Sequence, residues 1–500
     1  MKRLRKALCC LLLCALLAGA SALPAAALSD VPGDFWARED IERCVALKYF
    51  YPESGGGFGV GKEISRAEFV VVLCRVLGWK PTSPARAVYG DVPETAWYAG
   101  AVEAAYHQGA IIGQDGAFRP GEPVTRSEAA SMLVRALGYG SIAGLVQDMS
   151  LPFQDVRANN GYIVMAYGLG LMDGSGVSDF SPDGHVTREQ AASMVMRLHD
   201  KLRGSDLSRA GVAFSAENLP DLKGYEAVGV AAAKLAYNGA PQVVPAMNAE
   251  EAQAIRAAVF AAGAKPLLYV SGSAYHIRED GAEQLAEALI RAVEAEGYGG
   301  LFLDVAGLAD ETQRDALTAA ARLLREKLGQ RLLYVAAEAP AWRGTISGYD
   351  YAGLGEAADR LVLRFEQKAE SAAGQAVIPL EPLEQIYYAL NRLRGVVDAG
   401  KLTLLLTSTG TARRGRDLVS LTGEELAARL AEGGGHYSGR YACAYLEGEG
   451  EDGVWYLNGQ AVGERARLAR LFGGGCLCLS DLNNALPEVL EAMPQGNSPG

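Results

Sequence analysis

Histidine and cysteine are scarce in this 500-residue chain, and their placement argues against most metal and redox chemistry. His276 and His436 lack the short spacings that let imidazoles and thiolates converge on one ion, so no metal site is expected. Five of the eight cysteines lie beyond residue 27: Cys44, Cys74, Cys443, Cys476 and Cys478. An odd, sparse set is no disulfide framework, although Cys44 and Cys74 are close enough in sequence to pair. In Cys476-Leu-Cys478, strand alternation turns both thiols to one face of an apolar run, which reads as core packing. Basic charge is also short. Forty-seven Lys and Arg against 59 Asp and Glu give −12 with no basic stripe, which argues against nucleic acid as a partner. Phosphate-loop glycines, a Ser-His-Asp order and cofactor motifs are all missing, so no cofactor is expected.

What is present begins at the N-terminus. Lys2, Arg3, Arg5 and Lys6 precede an apolar run from residue 7 to about residue 20, and Ala25 and Ala27 form an A-x-A cleavage pattern. The run is shorter than the ~20 residues that span a bilayer, and no later stretch is long and apolar enough. Residues 1–27 therefore read as a signal peptide, and the mature chain as exported with 43 basic against 59 acidic residues, a charge of −16. Five hundred residues exceed one core, so a multidomain chain is expected.

Internal repetition fills the first part of the mature chain. Asp30-Val31-Pro32, Asp91-Val92-Pro93 and Asp155-Val156 recur at spacings of 61 and 64. Each is followed by a helical stretch, a glycine-rich turn and a tetrad: Ser65-Arg66-Ala67-Glu68, Thr125-Arg126-Ser127-Glu128 and Thr187-Arg188-Glu189-Gln190. Ser65, Thr125 and Thr187 are good N-caps, and Glu68, Glu128 and Gln190 stand three residues on as capping-box partners. Phe69, Val72, Leu73 and Val76 then form an apolar helix face, as do Met132, Leu133, Ala136 and Leu137, and Met194, Val195 and Leu198. One such helix pair cannot bury its face alone, which accounts for several copies.

These repeats resemble the S-layer homology domain. Repeat two carries the pattern most fully, in Asp91, Trp97, Gly109, Ile111, Gly113, Phe118, Pro120, Thr125, Arg126 and Glu128. Repeat one has Trp36 and Arg66. Repeat three has Phe153, Gly174, Phe180, Pro182 and Arg188, but Tyr162 or a neighbour where tryptophan is expected. The repeats span 28–80, 88–141 and 151–203. The resemblance implies an α-helical three-fold bundle at the cell wall or cell surface that binds secondary cell-wall polysaccharide attached to peptidoglycan. It also implies that Trp36, Trp97, Arg66, Arg126 and Arg188 line grooves between repeats. An indole stacks on a sugar face and a guanidinium pairs with a carboxylate. The departures in repeats one and three single out the Arg126 groove.

Residues 204–222 read as a polar linker, 223–485 as a second domain and 486–500 as a flexible tail. Apolar runs at 227–232, 243–246, 266–271, 300–305, 331–336, 360–365, 403–407 and 475–479 alternate with helical stretches such as the one striped by Leu285, Ala288, Leu289 and Ala292. Eight strands in this length fit an α/β (β/α)8 TIM-like barrel, with an open doubly wound sheet as the alternative.

Two segments resemble glycoside hydrolase family 18: Ala264-Lys-Pro-Leu-Leu-Tyr-Val-Ser-Gly272 its third strand, and Glu296-Gly-Tyr-Gly-Gly-Leu-Phe-Leu-Asp-Val-Ala-Gly-Leu308 its fourth-strand signature. Residues 359–365 take the place of the sixth strand, and 453–457 resemble the hairpin before the last. In that family the signature's final Glu is the general acid, and the Asp two residues earlier orients the substrate acetamide. Asp304 matches the Asp, but Ala306 stands where the Glu belongs, and general acid catalysis is worth roughly 10²–10⁴-fold. The sixth strand shows Arg364-Phe365-Glu366 instead of Met-x-Tyr-Asp, and no tryptophan ends the last strand, where Cys478, Leu479 and Ser480 lie.

The expectation is a barrel that binds carbohydrate, N-acetylglucosamine-containing glycans by resemblance, without hydrolysing it. Asp304, Tyr275 and Trp342 are its candidate contacts. The alternatives are an active hydrolase whose carboxylates have moved, with Glu338, Glu366 and Glu447 as candidates at strand ends, and a purely structural S-layer-associated protein.

Overall fold

The computed structural model describes residues 28–82, 88–113, 116–204, 206–278, 281–308, 310–341, 348–365, 379–414, 417–447 and 452–495. The expected signal peptide, Trp342 and Glu366 lie outside the described residues. The chain divides into two compact units, Met1–Asp200 and Lys201–Gly500.

The first unit is helical: α1 (Arg38–Ala46), α2 (Arg66–Leu77), α3 (Ala99–His107), α4 (Arg126–Ala136), α5 (Gly140–Leu145), α6 (Asn160–Gly168) and α7 (Arg188–Leu202). Complete capping boxes open α2 at Ser65 and α4 at Thr125. At the third tetrad the Gln190 side-chain carbonyl accepts the Thr187 N–H at 3.2 Å, the same reach made by an uncharged group. The repeats close into a ring through their backbones. Ile64 N–H donates to Val186 C=O, Val186 N–H to Val124 C=O, and Val124 N–H to Ile64 C=O, at 2.9–3.0 Å. All three side chains are fully buried, so the three-fold axis is an apolar plug that needs every repeat. The Asp of each opening motif fastens its own turn. Asp30 accepts the N–H groups of Phe58, Gly59 and Val60, Asp91 those of Phe118 and Arg119, and Asp155 those of Phe180 and Ser181. Those turns hold Gly59, Arg119 and Ser181 at positive φ, a strained conformation for the last two, which the paired donors stabilise. Cys44 and Cys74 are not bonded to each other. Both are buried and free, near the carbonyls of Ala192 and Ala101, each in a different helix contact.

The second unit is a closed barrel of eight parallel strands: β1 (Ser208–Ala213), β2 (Ala227–Tyr237), β4 (Lys265–Ser273), β5 (Gly300–Ala306), β6 (Leu332–Glu338), β7 (Arg360–Arg364), β8 (Leu402–Leu406) and β14 (Cys476–Leu479). Pairing of β1 with both β14 and β2 closes it. Two corrections to the sequence reading cancel in the strand count. The run at 243–246 is no stave: β3 (Pro241–Pro245) folds back antiparallel on the long β2 as a hairpin. The missing stave is β1, inside the stretch read as linker. Its Ser-Arg-Ala-Gly-Val-Ala sequence has little bulk to mark it, and it is buried because larger neighbours fill the space above Gly211. Helices α8 (Ala249–Ala261), α9 (Ala282–Ala295), α10 (Glu311–Leu328), α11 (Tyr351–Ala357), α12 (Leu383–Leu393) and α14 (Gly459–Leu471) follow the strands. The expected tail contains α15 (Pro487–Ala492), tied down by buried Val489 and Met493.

Between β8 and β14 the chain forms a second, antiparallel sheet in the order β10 (Asp417–Leu421), β9 (Gly410–Arg414), β13 (Asp452–Tyr456), β12 (Cys443–Leu446), β11 (Gly435–Ser438), with α13 (Gly423–Ala431) joining β10 to β11. Strand alternation fills the barrel with Phe302, Tyr334, Val362 and the two thiols Cys476 and Cys478, which are core as expected. Gly229 makes the room: a Cβ there would stand 3.2 Å from both Phe302 and Tyr269.

Candidate functional site

Two regions carry the candidate residues. In the first unit, each tetrad arginine begins a helix and reaches across to another repeat. Arg66 Nε donates to Phe118 C=O at 2.8 Å, Arg126 Nε to Phe180 C=O at 2.7 Å, and Arg188 Nε to Phe58 C=O at 2.9 Å. Each guanidinium also lies over the ring of the same phenylalanine, 4.7–5.2 Å from its centroid. The cyclic order therefore puts the three arginines in three separate junctions, not in one pocket. Two junctions hold an ion pair, Arg66–Glu128 at 2.7 Å and Arg188–Glu68 at 3.0 Å. Burial pulls the pKa of Arg66 down, and Glu128 opposes it. Trp36 and Trp97 turn their indoles to solvent, at 62% and 67% exposure. Tyr162 of repeat three differs: it is half-buried, lies 4.6 Å beneath Arg135, and accepts that residue's Nε–H at 2.9 Å.

The second region is the C-terminal mouth of the barrel, where barrel sites are built. Alternation along β5 turns Phe302, Asp304 and Ala306 inward, and along β7 it does the same for Arg360, Val362 and Arg364. A charged inward position in a barrel demands a partner. Arg364 meets Asp304 directly through Nη1, and its Nη2 lies 3.8 Å from Glu338 and 3.4 Å from the Tyr349 hydroxyl. Tyr269 donates its hydroxyl to the other Asp304 oxygen at 2.7 Å. Glu338 accepts the Gly307 N–H at 3.1 Å, and Tyr349 donates to Val305 C=O at 2.7 Å. Burial disfavours charge on Arg364, but Asp304, Tyr349 and Glu338 outweigh it and raise its pKa. Burial, then the adjacent Asp304 carboxylate, pushes the Tyr269 phenol well above its usual range. At the opposite end Arg360 meets Glu226, which also accepts the Tyr334 hydroxyl at 2.7 Å. Both barrel ends are thus closed by an Arg–carboxylate–Tyr cluster.

Among the carboxylates considered as relocated acids, Glu338 does reach the mouth. The strand register sets Asp304 against Ala336, so Glu338 stands level with Ala306, one strand along. Glu447 does not: it follows β12 in the antiparallel sheet and faces water, because that strand is no barrel stave. Tyr275 follows β4, 68% exposed, with its ring edge-on to Tyr237 at 6.2 Å. Trp455 is buried in β13, stacked on Tyr445 at 5.0 Å, so it fills the sheet. The sequence reading missed Tyr269, Tyr349 and Phe214, a half-exposed ring 6.2 Å from Tyr269 at the end of β1. The spacing of Arg360 and Arg364 was the available signal, since i and i+4 on one strand face the same way.

A family model for the S-layer homology domain matches residues 27–70, 88–130 and 152–192. The first unit is thus built of three S-layer homology domains. The chain is 28% identical over 174 residues to an exoglucanase XynX of Acetivibrio thermocellus, a match covering 34% of this chain and 16% of that protein. It is 37% identical over 103 residues to a surface layer protein of Brevibacillus choshinensis, covering 20% of this chain and 9% of the relative. The chain therefore spans only a minor part of the relatives it matches. Among solved structures it is similar to a chitinase from Chromobacterium violaceum, at 17% identity and TM-score 0.47, covering 58% of this chain and 98% of that one. It is also similar to the spore cortex-lytic enzyme SleL of Bacillus megaterium, at 13% identity and TM-score 0.49, covering 66% and 81%. The three domains and the surface-layer relatives place this protein at the cell wall or cell surface. No helix among the described residues is long and apolar enough to cross a membrane.

Proposed function

We propose that this protein holds secondary cell-wall polysaccharide, and through it peptidoglycan, by its three S-layer homology domains, and displays a barrel that binds N-acetylglucosamine-containing glycans without hydrolysing them. The wall contacts of this reading are Trp36, Arg66, Trp97, Arg126 and Arg188, and the barrel contacts are Asp304, Tyr275 and Trp342. The observation that carries the non-hydrolytic reading is the state of Asp304. The residue two places on, where the related hydrolases need a proton donor, is alanine, and Asp304 itself is engaged by Arg364 and Tyr269. Paired with the half-buried Arg364 guanidinium, Asp304 still offers a bound sugar a polar contact but is not free to orient an acetamide for attack, and a methyl group has no proton to give. The full chain incubated with chitin oligosaccharides or peptidoglycan fragments should bind them and release no reducing ends. Turnover that disappears in Asp304→Asn would overturn this.

One observation favours a second reading, a hydrolase with a relocated acid: Glu338 is level with Ala306 on the neighbouring strand. That reading requires turnover in the wild-type chain and its loss in Glu338→Gln. For anchoring, the full chain should sediment with purified walls, and a chain lacking residues 28–200 should not.

A further inference from the structure

The charges at the barrel mouth do not balance. Among the described residues Arg364 meets two acids there, Asp304 and Glu338, and serves them unequally. Both oxygens of Asp304 have donors: Arg364 Nη1 on one, and the Tyr269 hydroxyl at 2.7 Å on the other. Glu338 stands 3.8 Å from Arg364 Nη2, beyond hydrogen-bond reach. Its Oε1 accepts the Gly307 N–H at 3.1 Å, and its Oε2 has no hydrogen-bond partner among the described residues. Arg364 and Asp304 cancel each other, so Glu338 carries an excess negative charge.

Glu338 is also firmly held. Tyr334 and Ala336 lie in the barrel core, so alternation along β6 makes Glu338 the last of the same inward row. Its backbone is fixed, because its C=O accepts the Tyr351 hydroxyl at 2.7 Å and the next N–H, of Ala339, donates to Arg364 C=O at 2.8 Å. Its side chain is 22% exposed against 12% for Asp304, so it is the acid that a ligand meets first. The level position on β5 is Ala306, so no second carboxylate flanks Glu338 from that side. An acetamide is neutral, whereas the 2-amino group of a sugar without its acetyl group is a cation with three donors. A charge-assisted hydrogen bond is roughly twice as strong as a neutral one, so an excess carboxylate on a fixed backbone favours the ammonium.

We propose that the barrel mouth selects glycans in which a glucosamine unit has lost its acetyl group, Glu338 Oε2 holding the free ammonium beside the neutral Asp304–Arg364 pair. This narrows the glycan-binding reading above and rests on it. The test is calorimetric titration of the full chain with glucosamine tetramer and with N-acetylglucosamine tetramer. In mild acid the wild-type chain should bind the free-amine tetramer at least tenfold more tightly. That preference should disappear in mild alkali, where the amine has lost its proton. Glu338→Gln should weaken free-amine binding at least fivefold and leave binding of the acetylated tetramer unchanged. Glu432→Gln, which removes the same charge from an exposed position at the end of α13, should alter neither. Equal losses in the two variants would reduce the effect to general attraction of a cation to an acidic protein and overturn the site. Equal or tighter binding of the acetylated tetramer by the wild-type chain would overturn amine selection while leaving glycan binding intact. Binding of neither tetramer would overturn both. Release of reducing ends that is lost in Glu338→Gln would make Glu338 the relocated acid and overturn the ammonium assignment.

Discussion

At the barrel mouth, Arg364 links the cluster, since among the described residues it is the one cation paired with Asp304 and it also approaches Glu338. Removing one partner of a fully buried pair costs about 3–5 kcal/mol, and the part-buried Arg364–Asp304 pair lies below that. Arg364→Met should therefore destabilise the barrel unit by about 1–3 kcal/mol in chemical denaturation. Adding Asp304→Asn should recover much of the loss, because the two substitutions act on one contact. Glu381 shows the opposite electrostatics. It is buried at positive φ, accepts the Thr407 hydroxyl at 2.6 Å, and burial raises its pKa against the attraction of Arg465. A raised acid pKa favours folding below the ordinary value of 4.5, and that contribution is lost as pH rises. Glu381→Gln should thus raise the melting temperature of the barrel unit at pH 7 and change it little at pH 4. Equal effects at both pH values would show that burial of the charge is not the cause.

Among elements, α5 and α6 pack backbone to backbone. Gly161 lies in the first turn of α6, and a Cβ there would stand 1.7 Å from the Ala143 carbonyl oxygen of α5. The backbone would have to move, so Gly161→Ala should cost about 1–3 kcal/mol or more, seen as a lower melting temperature of the repeat unit. Much at this scale was legible. The tetrads marked the starts of α2, α4 and α7 because a capping box is a local device that needs only four residues. The strands β4 to β8 were legible because buried parallel strands are runs of apolar residues. Strand β1 was not, since Ala210 and Gly211 bring no bulk of their own, and the hairpin strand β3 looked like a stave because pairing direction leaves no local mark. Glu447 was misplaced for the same reason: its strand pattern is genuine, but the strand belongs to the other sheet.

On the scale of the whole molecule, both units are closed rings, one of three repeats and one of eight strands. Closure of the first relies on aspartates that repeat with it. Backbone N–H donors outweigh burial at Asp30 and Asp91, and act with little burial at Asp155, so all three pKa values lie below the ordinary 3.8. The sign follows from linkage. Their stabilisation is full above 3.8 and is lost as pH falls through the lower folded values. The repeat unit should therefore lose melting temperature steeply in acid below about pH 4. The slope should flatten in Asp91→Asn, measured by calorimetry. An unchanged slope would mean that these turns do not govern acid unfolding.

The sequence by itself determined the three repeats, their helix starts, the strand-and-helix rhythm of the second unit, and the alanine at position 306. Each of these is written in short, local patterns of capping, periodicity or motif. Only the tertiary structure decided which arginine meets which acid. It set Arg66 against Glu128 and Arg126 against the carbonyls of Phe180 and Asp173, and it brought Arg364 onto Asp304 across sixty residues. Those pairings come from ring closure and strand register, which join distant residues, so no local pattern could record them.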